Sequence, residues 1–549
     1  MFSKTLKALR LTPAVLFLAL LSSGCTSLGE YVSNRFKVGP NYQKPPADTA
    51  ADWIDGKSRG INVAKQDIEC WWTGFNDPVL NKLVETAYNQ NLDVRTAGTR
   101  ILEARAQRNI SRGFLLPQLQ EAFAEITRNQ TSRNAVFTPP IQFFDNNAVG
   151  FNLQWEIDFW GRFRRALEAS NAELDASVEN YDDVLVLLIS EVAASYVQIR
   201  TQQQRIAFAE ANIAIQKKLA DDASERFKGK AVDESEPAQM RSNLYDTMAL
   251  REQLEIGLRV ANNKLCFLLG ISPRDLLPEL GPGPIPGAPP EIAIGIPADL
   301  LRRRPDVRRA ERQVAAQSAR IGVATSELYP HISLIGTLGY QSQNFAQLIS
   351  PGSGIGTIGP SLRWDILNYG RLLNAIRVED AKFQGAALVY QNTVLRAGRE
   401  VEDGIVTFLR SQEQAIKLLE TEKDAKTVVR VIGEQRKQGA KVDINREFVT
   451  TNFLVTQQDK LAQAKGDIAL GLIQIYRALG GGWEIRTGNC APGSPEQLPA
   501  PKDKAGRVRP FIDEPIIRGS MPAIDPPIQR RATLLEPESV VPARLDFLP

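Results

Sequence analysis

Trp155-Glu156-Ile157-Asp158-Phe159-Trp160-Gly161-Arg162 marks the end of one kind of structure and the start of another. Up to it, Val149, Phe151, Leu153, Trp155, Ile157 and Phe159 are apolar, and Asn152, Gln154, Glu156 and Asp158 between them are polar. A period of two sustained over about ten residues is that of a β-strand with one face to lipid and one to water. After it, from Arg162 to about Lys228, there is no proline or glycine. Val178, Leu185, Val192, Ile199, Ile206, Ile213, Ala220 and Phe227 recur every seven residues, the spacing of a coiled-coil seam. Roughly 67 residues at about 1.5 Å each make a rod near 100 Å long.

The same stretch returns as Trp364-Asp365-Ile366-Leu367-Asn368-Tyr369-Gly370-Arg371, offset by 209 positions. Pro117 and Pro330 open strand-like runs 213 apart, and Phe267-Leu268-Leu269-Gly270 returns as Arg477-Ala478-Leu479-Gly480 after 210. A period this long indicates two copies of one unit rather than a solenoid of short repeats. The second copy carries Ile358, Pro360, Leu362, Trp364 and Ile366 alternating with Thr357, Gly359, Ser361, Arg363 and Asp365. The strands opened by the prolines, Leu119 to Arg128 and Ile332 to Ser342, pair with these. Long helices are expected from Gly161 to Lys228 and from Arg371 to Gln438. Return helices run from Ser235 to Leu269 and up to Leu479, and shorter helices near Leu92–Phe114 and Leu300–Leu328 precede each first strand. The fold class is therefore mainly α with membrane β: a tandem-duplicated unit of long coiled-coil helices and four transmembrane strands per chain. A half-buried strand of a soluble sandwich is the alternative for any one of these, but four short strands among long helices build no sandwich. Four strands also cannot close a barrel, and open edges are not tolerated in lipid. Three chains would supply twelve strands; two or four would also close an even number.

At the N-terminus, Lys4, Lys7 and Arg10 precede an apolar run, Leu11 to Leu21, too short to span a bilayer comfortably. Leu21-Ser22-Ser23-Gly24-Cys25 then reads as a lipoprotein signal with Cys25 acylated; an ordinary cleavage site with an incidental cysteine is the alternative. Thr26, by resemblance to bacterial lipoproteins, favours outer-membrane retention. Without the three basic leader residues, the 66 Lys and Arg fall level with the 63 acidic residues, which gives no electrostatic reason to bind nucleic acid. An oxidising periplasm would permit one disulfide among Cys70, Cys266 and Cys490; Cys70 with Cys490 and three unpaired thiols are both open. The resulting organisation is a signal peptide (1–24), an N-terminal lipid-anchored and equatorial segment (25–91), a first repeat (92–270), a Gly/Pro-rich equatorial linker (271–297), a second repeat (298–482) and a Pro-rich tail (483–549).

Several motifs then carry a resemblance. Leu300-Leu301-Arg302-Arg303-Arg304-Pro305-Asp306-Val307-Arg308-Arg309-Ala310-Glu311 is followed by Ile321-Gly322-Val323-Ala324 and Tyr329-Pro330. Val38-Gly39-Pro40-Asn41-Tyr42-Gln43-Lys44-Pro45 precedes them, and Ala478-Leu479-Gly480-Gly481-Gly482-Trp483 comes last. Over about residues 25 to 483 the chain resembles the TolC-like outer-membrane efflux proteins, in their lipoprotein subgroup of multidrug and NodT-type channels. The resemblance implies a homotrimer with a 12-strand β-barrel in the outer membrane and an α-helical barrel through the periplasm. It also implies a periplasmic adaptor protein and an inner-membrane pump as partners, beside outer-membrane lipid.

The turns after the long helices, Gly229-Lys230 and Gly439-Ala440, are by resemblance the tips where an adaptor docks, with Arg226 and Arg436 as contacts. Solvated charges at two helix-hairpin turns are the bland alternative. Relatives carry an aspartate about nine residues after the second tip glycine; this chain has Phe448 there, with Asp443 and Glu447 nearest. Either those acids form the gate, or a ring of Phe448 closes by dewetting, or Phe448 packs between helices. Asn152, Gln154, Glu156, Thr357 and Ser361 would line a water-filled barrel. Enzymatic chemistry has no foothold in the sequence. His331, the only histidine, is read as an interfacial loop residue beside Pro330. Gly480-Gly481-Gly482 is read as a helix terminus and Asp182-Asp183 as a solvated or pore-facing pair. No cofactor, metal cluster, phosphate loop or activated nucleophile shows its spacing. The expected function is a passive exit duct for small molecules in a tripartite efflux system. A type I protein-secretion duct and a non-conducting envelope tether are its rivals.

Overall fold

The computed structural model describes residues 28–62, 68–132, 134, 142–299, 303–438, 444–488 and 490. The elements follow one another in the same succession twice. After a short helix α1 (Leu28–Ser33) and helix α2 (Pro78–Gln90), the first half runs α3 (Leu92–Gly113), strands β2 (Leu119–Gln130) and β3 (Phe143–Glu156), then α4 (Arg162–Lys228) and α5 (Ser235–Leu268). After α6 (Leu277–Leu280), the second half runs α7 (Pro305–Ser326), β5 (His331–Ser342), β6 (Gly354–Arg363), α8 (Arg371–Lys437) and α9 (Ile444–Ala478). Two-residue strands β1 (Ile61–Asn62) and β4 (Ile292–Ala293) pair in parallel and tie the N-terminal arm to the inter-repeat linker.

The long helices α4 and α8 are each 67 residues, about 100 Å of rod. Both are preceded by a left-handed glycine, Gly161 (φ +83°) and Gly370 (φ +79°). The return helices also end alike. The Gly270 N–H bonds Phe267 O and the Ile271 N–H bonds Cys266 O; the Gly480 N–H bonds Arg477 O and the Gly481 N–H bonds Tyr476 O, all at 3.0 Å. Each is a helix end closed over a left-handed glycine, the conformation in which a side chain would be strained.

The expected strands ran on to Phe159 and Ile366, but β3 and β6 stop three residues earlier. The Phe159 N–H bonds Ile157 O at 2.7 Å and the Ile366 N–H bonds Trp364 O at 3.1 Å, so a tight turn aims the chain into the helix. The second short helix begins at Pro305, where proline's missing N–H costs nothing in the first turn. Helix α2 went unread in the sequence, although Asp77 caps Val79 and Leu80 and Pro78 opens the first turn.

The strands form one antiparallel sheet in the order β2-β3-β5-β6. Among the helices, α4 packs against α5, α3, α7 and α9, while α8 packs against α7 and α9. The core lies at mid-height, where Trp71, Trp72, Phe75 and Leu80 join Leu185, Val192, Tyr196, Leu265, Phe408, Leu472 and Tyr476. The heptad seam follows this burial: Leu185, Val192 and Ile199 are fully enclosed, and Phe227 at the helix end is 41 % exposed. A disulfide joins Cys70 to Cys490, and Cys266 is a buried free thiol.

Candidate functional site

The register sorts the sheet into two faces. Glu121, Asn152, Thr337 and Thr357 lie on one hydrogen-bonded row, and Glu156, Ser333 and Ser361 on another. Because side chains alternate, Asn152, Gln154, Glu156, Thr357 and Ser361 all point to the same side. That side is laced together: Asn152 Nδ2 donates to Glu121 at 2.9 Å and the Thr337 hydroxyl to Asn152 Oδ1 at 2.9 Å. The opposite side presents exposed Ile126, Phe151, Leu338, Ile358 and Leu362. The face expected to be lumenal is therefore contiguous and polar, and its reverse is apolar.

His331 is the first residue of β5 rather than a loop residue. Its Nδ1 lies 2.9 Å from Glu156 and its Nε2 3.4 Å from Glu327, while Arg162 bonds both carboxylates at 3.1 and 3.0 Å. The strand start puts the ring on the polar face above the helix ends, where these groups converge.

An N-terminal arm runs down from this junction. The Tyr31 hydroxyl donates to Phe159 O at 2.7 Å and the Val38 N–H to Trp160 O at 3.0 Å. Arg165, almost fully buried, donates to the carbonyls of Val38 (3.1 Å) and Gly39 (2.9 Å). Gly39, at φ +81°, abuts the backbone of Gly322 so closely that a Cβ would collide with it. Cys25 lies outside the described residues.

The signature arginines are staples. Arg304 forms a fork with Asp306 at 2.9 and 2.7 Å and donates to Ala478 O, at the C-terminus of α9, at 2.8 Å. Arg308 reaches Glu179 at 2.7 Å, and Arg309 reaches Asp183 at 3.0 Å. Of the Asp182-Asp183 pair, Asp182 is thus not solvated, and Asp183 is half-buried. Asp182 is 1 % exposed and bonded by Arg486 at 2.6 Å, because α7 and the segment Trp483–Thr487 close over α4 there. Arg308 and Arg486 flank the Trp483 ring, at 4.9 and 5.3 Å from its centroid. Burial pushes the carboxyl of Glu484 up to about 7, with Glu69 and Asp182 adding to it. Sequence reasoning missed this cluster because its partners lie more than 120 residues apart.

At the other end, each hairpin carries the same clamp. Arg226 bonds Glu236 at 2.8 Å across the tip of α4–α5, and Arg436 bonds Glu447 at 2.6 Å across α8–α9. Arg436 also pairs with Asp222, joining the two hairpins. Both glutamates are buried. Phe448 packs with Met240, Ala220 and Ala223 between helices of the same chain. Gly229 keeps a right-handed conformation (φ −77°), and the left-handed turn residue is Lys230 at φ +56°. Gly439 and Asp443 lie outside the described residues.

The family model "Outer membrane efflux protein" matches residues 83–271 and 296–481. The chain is 29 % identical over 475 residues to Nodulation protein T of Rhizobium leguminosarum bv. trifolii, covering 85 % of this chain and 96 % of that protein. It is 28 % identical over 482 residues to the solvent efflux pump outer membrane protein SrpC of Pseudomonas putida, covering 86 % and 98 %. Among solved structures, the outer-membrane channel OprN aligns with a TM-score of 0.77 at 30 % identity, over 81 % of this chain and 99 % of that one. The Campylobacter jejuni CmeC outer membrane channel aligns with a TM-score of 0.75 at 24 % identity, over 81 % and 94 %, which bears on the fold alone.

Proposed function

The chain belongs to the outer membrane efflux protein family of the outer membrane, and from that premise we propose that it is the trimeric exit duct of a tripartite efflux system. One observation carries the reading: membrane sheet and helical wall leave the same two edges open. In the sheet these are β2 and β6. In the wall they are α3 and α5, joined to or beside the β2 side, and α8, which follows β6 directly. Copies meeting head to tail, β6 and α8 of one against β2, α3 and α5 of the next, close both layers at once. Exposed Leu388, Leu395 and Ile416 on α8, and Tyr245, Ile256 and Val260 on α5, supply apolar surface for that contact.

The register supports a barrel. The row through Leu119 meets β6 at Gly359, four residues short of the strand end at Arg363. Four residues of about 3.4 Å over three inter-strand steps of about 4.8 Å keep the strand ends level at a tilt of about 43°, inside the barrel range. Three copies make twelve strands, an even number within the known sizes. The polar face then lines a water-filled lumen and the apolar face meets lipid, with a lipid on Cys25 as a further anchor.

The helical tunnel ends at the two clamped tips, where an adaptor docks and the ion pairs of Arg436 hold the hairpins together at rest. Flow is passive, and the inner-membrane pump supplies the energy. Relatives named for solvent and toluene efflux favour small molecules as cargo. Light scattering corrected for detergent, with planar-bilayer recording on the same preparation, tests the proposal. A mass of three chains with discrete conductance steps is expected. A monomeric mass sinks the barrel, and a trimer without conductance leaves only a tether.

A further inference from the structure

The two strand-to-helix junctions correspond in sequence, yet the first is partly covered, with Ile157 and Phe159 42 % and 47 % exposed, and the second is far barer. In the first, Ile157–Gly161 lies under the N-terminal arm: Tyr31 bonds Phe159 O at 2.7 Å, and Lys37 presses so closely on Gly161 that a Cβ there would sit 2.6 Å from its side chain. In the second, none of the described residues takes that place. Gly370 has only Asn374, of its own helix, nearby. Ile366 is 69 % exposed, Leu367 82 % and Tyr369 96 %. Tyr369 is also held at φ +50°, which is unfavourable for a bulky residue and is kept where surrounding structure holds it.

We infer that Ile366, Leu367 and Tyr369 dock onto Phe114 and Leu116 of a second copy of this chain. Phe114 and Leu116 end the α3 side at the same level, three residues and more before β2 begins, just as Ile366 lies three residues after β6 ends. They are 47 % and 64 % exposed, and Phe114 is fixed by stacking on Phe163 with centroids 6.1 Å apart. The two patches flank the two unpaired strand edges, so pairing of β6 with a neighbouring β2 brings them together without further movement. Apolar surface of this kind, left open in one chain and continuous with unpaired edges, is what an obligate interface covers. The neighbour thus plays for the second junction the part that the N-terminal arm plays for the first.

The inference rests on the head-to-tail assembly proposed above, and its test separates the two. A Leu116→Cys/Ile366→Cys double variant of the full-length chain is oxidised in native outer membranes and run without reductant. Cys70 and Cys490 are bonded and Cys266 is buried, so they give little background. A ladder of cross-linked dimer and trimer, lost on reduction and absent from either single variant, is expected. A trimeric mass by light scattering with no ladder overturns the docking and leaves the assembly; a monomeric mass overturns both. Should the double variant fail to accumulate, Tyr369→Ser provides a second reading. It should lower the temperature at which the detergent-resistant oligomer dissociates by several degrees, and an unchanged temperature overturns the docking.

Discussion

At the scale of single residues, the most telling contacts are those between signature motifs. Gly39 meets Gly322, and Gly480 sits where a Cβ would be 2.9 Å from the Arg304 Cα. The motifs that betray the family therefore meet one another at both ends of α7, Gly39 with Gly322 beside the strand-to-helix junction and Gly480 with Arg304 at the other end, and report packing. Gly270→Ala should be costly, since a Cβ there would lie 2.6 Å from Gln90 O at φ +72°. Lys230→Gly should act in reverse, relieving about 1 kcal/mol of left-handed strain and slowing amide exchange at residues 226–231. Glu484 gives a pH signature. Its folded carboxyl keeps its proton up to about 7, whereas the unfolded one has lost it in the ordinary carboxylate range. The stability it contributes is therefore full below that range and is lost as pH rises through about 7. Glu484→Gln should flatten that decline in thermal scans between about pH 5 and about pH 8, leaving the acid side unchanged. The surroundings of Asp182 were not legible beforehand: it reads as a surface acid because Arg308 and Arg486, which bury it, are distant in sequence.

At the scale of elements, legibility followed periodicity. The seven-residue seam of α4 and the alternation of β3 located both to within a few residues, since a long regular element repeats its signal many times. Elements too short to repeat a pattern stayed hidden. The β1–β4 pair is two residues long, with Ile61 opposite Ile292, and no local pattern announces it. The first tip turn lies at Gly229-Lys230, where the sequence put it, but Lys230 rather than Gly229 takes the left-handed conformation. Of the two arginines expected as adaptor contacts, Arg226 stays exposed while bonded to Glu236, and Arg436 is half-buried. Arg436 holds Glu447 at 2.6 Å and also pairs with Asp222. Arg436→Ala should free the α8–α9 hairpin from α4. With about 1.5 kcal/mol lost per charge-assisted bond, the open population should rise at least tenfold. Bilayer recordings would show longer openings, and an unchanged open probability would remove Arg436 from the gate.

At the scale of the whole molecule, two similar halves share one seam, and a disulfide between Cys70 and Cys490 closes around it. Cys70 stands before the first repeat and Cys490 after the second, 420 positions apart. Both membrane hairpins and both periplasmic tips lie between them. Residues 70–490 are therefore a covalent ring, and a ring survives a single cut. A protease that nicks one extracellular hairpin should leave a chain that keeps its full mass on a non-reducing gel and separates into two pieces only with reductant. Cys490→Ser should part into those pieces without it. An envelope protein exposed to a hostile exterior thus has a means of remaining one molecule after its backbone is broken.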